Sequence, residues 1–320
     1  KFSLNLLMVI AATFVGSAAN YLFQVLMGRN LSVEQFGTFG ALFAIFYIAS
    51  IFSNSLQAGI AEVIARTKSS YDTNVALTTG IILIGQVALM AAIITIAFTI
   101  FQNQIRNILN IESTTIILMV ALSIFFALTI SAPTGVFQGL QHFAAFSIFA
   151  QVIPQTAKLL LGAIAISSGD KLFGAIASIP ISGAFALTLS LIWIFRLCIR
   201  YGFHSFSVVK LPIWATSSVL LAIMMMIPAN ADVLIVAHFF QPEDVGLYTS
   251  ISVLGKIIIY MPLPFALVLL PLVAERRSSG GNPLHVLYIA IIGAVIVLLA
   301  AQIIYWLLPI WLTKLVIGHQ

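Results

Sequence analysis

Lys158, Asp232 and Lys256 fall inside long apolar stretches, where a charge is costly and is usually kept for binding or transport. Amide and hydroxyl side chains recur around them at helical spacing. Thr13, Ser17, Asn20 and Gln24 advance in steps of four, three and four. Ser50, Asn54, Gln57, Ala61 and Glu62 keep a similar rhythm, as do Ser147, Gln151, Gln155, Lys158 and Gly162. Each set therefore shares one face of a helix. Three such stripes predict a common cavity that binds a polar guest; interhelical hydrogen bonding is the plainer alternative. The chemistry is binding rather than bond making. No loop carries a Gly-rich phosphate cradle, a His/Cys ligand cluster or a Ser/His/Asp set, and no cofactor or metal is indicated. Cys198 has no second thiol to pair with, and His142, His204, His238, His285 and His319 are scattered as interfacial residues would be.

The three deep charges differ in their expected partners. Lys158 has no evident acidic neighbour, which points to a binding role. Asp232 and Lys256 would lie at similar depth in an antiparallel hairpin, so mutual neutralisation competes with function there. Glu62 and Arg66, four apart, form a local pair if the helix is regular. Pro133, Pro154, Pro180, Pro228, Pro262 and Pro264 predict kinks within the spans. Pro228 frees the carbonyl of Met224 a turn before Asp232, an irregularity that can coordinate a coupling cation or can simply accommodate packing.

The elements that must position these residues are nine apolar segments, centred near residues 15, 50, 88, 125, 156, 185, 226, 261 and 297. Each is about 20 residues or longer, enough to span hydrocarbon as a helix. With 61% hydrophobic and 7% charged residues and a mean hydropathy of +1.14, the chain lacks the polar surface of a soluble enzyme. The net charge of +5 sits at segment ends rather than on one patch, so nucleic acid is not an expected partner. Lys1, Arg66, Lys68, Arg196, Arg200, Lys210, Arg276 and Arg277 lie on one side, against Arg29, Arg106, Lys171 and Lys314 on the other. Eight against four places the N-terminus in the cytoplasm of a multi-pass cell-membrane protein. Trp193, Trp214, Trp306 and Trp311 fall near segment ends, as interfacial rings do. The first segment is too long for a signal-peptide core and is expected to be retained.

Val33-Glu-Gln-Phe-Gly-Thr-Phe39 aligns with Pro242-Glu-Asp-Val-Gly-Leu-Tyr248 at an offset of 246 − 37 = 209. Ser69-Ser70 meets Ser278-Ser279 and Lys68 meets Arg277 at the same offset. Six helices separate equivalent points, so the repeats are expected to be parallel, related by an axis along the membrane normal. The predicted fold is all-α, a two-lobed transporter with a six-helix lobe over residues 1–209 and three helices of a second lobe over 210–320. A complete second half would need about three more helices, and a first residue of Lys suggests trimming at the N-terminus too.

Several stretches resemble the polysaccharide flippases of the multidrug/oligosaccharidyl-lipid/polysaccharide exporter superfamily. These are Arg29-Asn-Leu-Ser-Val-Glu-Gln-Phe-Gly37, Phe137-Gln-Gly-Leu-Gln-His-Phe143, the segment from Ala231 through Asp232 to Tyr248, and Leu308-Pro-Ile-Trp-Leu-Thr-Lys-Leu-Val-Ile-Gly318. The resemblance implies two lobes around a central cavity and export of polyprenyl-diphosphate-linked oligosaccharide to the outer leaflet, with the lipid tail left among membrane lipids. Lys158 and Lys256 would then neutralise the diphosphate, with Arg29 and Arg66 near the two mouths. Asn20, Gln24, Asn54, Gln57, Gln151 and Gln155 would bond sugar hydroxyls, and Asp232 would be the candidate for a coupling cation, Na+ or H+. A drug/cation antiporter of the same superfamily is the alternative within transport, disfavoured by a cavity with more lysine than acid. A membrane glycosyltransferase or O-antigen ligase would call for a longer outer loop with catalytic residues.

Overall fold

Apolar sequence deprives the backbone of water partners, and the chain answers by bonding to itself in helices. The computed structural model describes residues 2–202, 224, 228–260, 283–307 and 314, apart from 110, 112 and 168. Among them are helices α1 (Phe2–Asn30), α2 (Val33–Ser70), α3 (Thr73–Ile100), α4 (Gln102–Leu109), α5 (Thr114–Gly139) and α6 (Phe143–Ser147). A π-helical turn, Ile148–Val152, leads into α7 (Ile153–Ile166), and α8 (Lys171–Tyr201), α9 (Pro228–Phe239), α10 (Pro242–Tyr260) and α11 (Pro283–Leu307) follow. No strand occurs among the described residues. Six stretches up to Tyr201 are long and apolar enough to cross a membrane, one of them running through α6, the π turn and α7. This is an all-helical, multi-pass membrane protein. Helices α9, α10 and α11 fall in the region of the expected seventh to ninth segments, but none of them, as far as it is described, is among those six. Their flanking residues, including Lys210, Trp214, Pro262, Pro264, Arg276, Arg277, Ser278, Ser279 and Trp311, lie outside the described set, as do His204, His319, the side chain of His285 and the 209/210 lobe boundary.

Local chemistry explains where the helices begin. Ser32 and Gln35 form a reciprocal capping box at the start of α2, and Asp170 accepts from the Phe173 N–H at 3.0 Å to start α8. Pro154 has no N–H to offer the carbonyl four residues back, and the preceding turn widens so that Ile153 N–H bonds Ile148 C=O five residues away. Pro133 and Pro180, by contrast, sit inside continuous helices.

Small residues bring the helices together. Gly135 and Gly139 of α5 press on α2, where an added Cβ would lie 2.7 Å from the Gln57 carbonyl and 2.5 Å from that of Ala61, a small-xxx-small seam. Ser53 reinforces it by donating to the Ala127 carbonyl at 2.5 Å. Helix α2 also packs along α10. There a Cβ on Gly37 would collide with the Pro242 carbonyl and lie 2.7 Å from the Gly246 nitrogen, while one on Gly246 would collide with the Val33 carbonyl. Gly40 packs against Thr249. Val33 and Pro242, Gly37 and Gly246, and Gly40 and Thr249 are each 209 apart (242 − 33, 246 − 37, 249 − 40). Contacts that exchange partners at one offset are produced by a twofold axis running along two parallel helices. An axis in the membrane plane would have set α2 and α10 antiparallel.

Candidate functional site

Helices α1, α2 and α7 meet around a single ammonium. Gly16 lets the π turn approach so closely that an added Cβ would lie 2.6 Å from the Gln151 carbonyl, and Gly162 leaves room for Phe23. Between these contacts Lys158 of α7 is enclosed, 3% exposed. Its Nζ donates to Asn20 Oδ1 at 2.5 Å and stands 5.1 Å from the ring centroids of both Phe23 and Phe43, within cation–π range. Among the described residues no carboxylate pairs with it. The lysine, placed by its stripe on a common cavity, is enclosed by two aromatic faces and an amide.

The cage continues as a polar chain. Asn20 Nδ2 donates to the Tyr47 hydroxyl oxygen at 2.5 Å, and Gln24 Nε2 reaches the same oxygen at 3.4 Å. Tyr47 and Gln24 in turn border a cavity at the seam of α2, α9 and α10, whose opposite wall includes Thr249, Ser252 and Lys256. Lys158 thus stands beside Phe43 from outside that cavity, while Phe43 and Lys256 both line it.

Asp232 of α9 does not pair directly with Lys256 among the described residues. Hydroxyls reach the carboxylate first. Tyr248, Ser252 and Lys256 follow one another at steps of four along α10. The first two donate to Asp232 Oδ2 at 3.2 and 2.9 Å, and Oδ1 is buried without a hydrogen bond among the described residues.

The other expected site residues are dispersed. Gln57 lies in the α2–α5 seam, donating to Gln138 Oε1 at 3.1 Å and accepting from the Thr134 hydroxyl at 3.3 Å, so interhelical bonding describes it. Asn54 is exposed, Gln151 is half-buried against α1, and Gln155 keeps a buried Oε1 with no hydrogen bond among the described residues. Arg29 is exposed at the end of α1. Arg66 is bonded to Glu62 at 2.5 Å, the local pair expected from their spacing. The three stripes therefore split: those of α1 and α7 close on each other, while Gln57 and Ala61 of the α2 stripe turn to α5. Phe23, Phe43, Tyr47, Thr249 and Ser252 were not singled out from sequence. For Tyr47 a signal was present, because it stands three residues before Ser50 and extends the α2 stripe by one turn.

A family model described as "Polysaccharide biosynthesis protein" matches residues 4–277. No curated protein matches the sequence. Among solved structures, an inward-facing multidrug resistance MATE family transporter of the MOP superfamily superposes with a TM-score of 0.70 at 13% identity, covering 97% of this chain and 75% of that one. A MOP superfamily transporter from Pyrococcus furiosus, described as having a binding pocket of reverse polarity, gives 0.68 at 14% identity, over 99% and 74% of the two chains. The MATE multidrug transporter DinF-BH, solved as a complex, gives 0.63 at 13% identity, over 91% and 68%. The chain spans 62% of the length of a further matching structure. At these identities the likeness concerns the fold.

Proposed function

Because the chain belongs to the polysaccharide biosynthesis protein family, with a match over residues 4–277, we propose that it takes part in flipping polyprenyl-diphosphate-linked oligosaccharide across the cell membrane. One observation carries this assignment: Lys158 is enclosed by the Asn20 amide and the Phe23 and Phe43 rings with no carboxylate beside it among the described residues, and Lys256 lines the cavity that Phe43 also borders. A buried ammonium held by an amide and two ring faces is incompletely compensated, and a phosphate oxygen is the partner it lacks. Lys158 and Lys256 would hold the diphosphate, and Asn20 and Gln24 would bond sugar or phosphate oxygens beside it. Arg29 and Arg66, both exposed, would act at the two mouths, and Asn54, Gln57, Gln151 and Gln155 are left at most peripheral contacts. The tail would stay in lipid, and the N-terminus would be cytoplasmic.

A drug/cation antiporter is supported by the buried, unbonded Oδ1 of Asp232, which could take up a coupling cation. Deleting the intact gene and analysing lipid-linked oligosaccharides separates the two. Accumulation in the cytoplasmic leaflet is expected for the flippase. Unchanged glycolipids with altered drug tolerance would transfer the assignment to the antiporter.

A further inference from the structure

The cavity at the α2–α10 seam measures about 20 Å3, room for about one water; the diphosphate proposed above would fit only in an arrangement in which α2 and α10 part. Its lining is polar on both sides: Gln24 and Tyr47 from α1 and α2, Thr249, Ser252 and Lys256 from α10. The Thr249 side chain is 2% exposed, and its hydroxyl has no hydrogen-bond partner among the described residues. A hydroxyl buried unbonded loses its water without replacement, a penalty avoided when a small polar molecule shares the space. Ser252 spends its proton on Asp232 and keeps lone pairs to accept with; the Lys256 ammonium has protons to give. A water here finds the two to four polar partners it requires.

We propose that this cavity is a site for one ordered water, bonded by the Thr249 hydroxyl and lying among the polar side chains that line it from α2 and from α10. Because it touches both α2 and α10, it is retained only while those helices are in contact at Gly40 and Thr249, so it favours that arrangement over any in which they part. This holds whatever cargo the protein carries.

Thr249→Val tests it in the full chain, since valine keeps the shape against Gly40 and removes only the hydroxyl. If the hydroxyl bonds a water, Thr249→Val should lower the melting temperature by about 2 °C or more, while Thr249→Ser, which keeps the hydroxyl, should keep the water. A map that resolves ordered waters should show density within hydrogen-bonding distance of Thr249 Oγ1 in the wild type and none in the valine variant. If Thr249→Val leaves the melting temperature unchanged or raises it, the hydroxyl was unbonded and the site is dry. Wild-type density that is absent, or density that persists in the valine variant, likewise overturns the assignment.

Discussion

At the scale of single residues, Lys158 has two separable roles. Its stem fills space between Phe23 and Phe43, while its charge is what would meet a phosphate. Lys158→Met keeps the stem, so it is expected to hold the wild-type melting temperature within a few degrees and to lose binding of lipid-linked oligosaccharide. Lys158→Ala opens a cavity and is expected to cost about 2–4 kcal/mol of stability as well. Thermal melts beside a binding assay resolve the two, and a Lys158→Met protein that binds normally would remove the lysine from the site. His142, in the turn between α5 and α6, is a different case. Burial, then the charges of Lys68 and Arg200, hold its pKa below the ordinary 6.5. The folded state therefore binds fewer protons than the unfolded one, and stability present above that ordinary value is lost as pH falls through it. Melting temperatures measured between pH 7.5 and pH 5 should fall less in His142→Gln than in the wild type.

At the scale of elements, glycine chemistry separates seams from open helix faces. At Gly37 and Gly246 a methyl group would meet backbone on the partner helix, so Gly37→Ala should destabilise by about 1–3 kcal/mol through forced separation of α2 and α10. Gly85 of α3 has nothing within 4 Å of an added Cβ. There the same change should stabilise by about 0.5–1 kcal/mol, because glycine loses more backbone freedom on folding than alanine. Opposite signs in paired thermal melts would confirm that the α2–α10 contact is tight; equal effects would show that it gives way easily.

At the scale of the whole molecule, topology is open to direct test. Asn103 is exposed near the start of α4 and Ser69 near the end of α2, and the charge count puts the former outside and the latter in the cytoplasm. An impermeant thiol reagent should label Asn103→Cys in intact cells and Ser69→Cys only after permeabilisation. Cys198 is buried and should contribute no background until the protein unfolds. The reverse pattern would invert the orientation and exchange the roles of the two mouths.

Composition and spacing within the chain determined the membrane class, the six spans up to Tyr201, the Glu62–Arg66 pair and the 209-residue offset. Each of these depends on neighbours along one helix or on charge counted along the sequence, and hydropathy acts on a segment whatever it packs against. The rotation of one helix against another was decided only in three dimensions. Nothing in the spacing of Lys158 shows that Asn20, Phe23 and Phe43, more than a hundred residues away, close over it, or that Gln57 turns to α5 while Tyr47, ten residues earlier, turns to α1. Nor does a hairpin of matched depth show that Tyr248 and Ser252 reach Asp232 ahead of Lys256. Those choices follow from where Gly16, Gly37, Gly135, Gly139 and Gly246 allow backbones to touch, because a close contact fixes both the rotation and the register of the helices that make it.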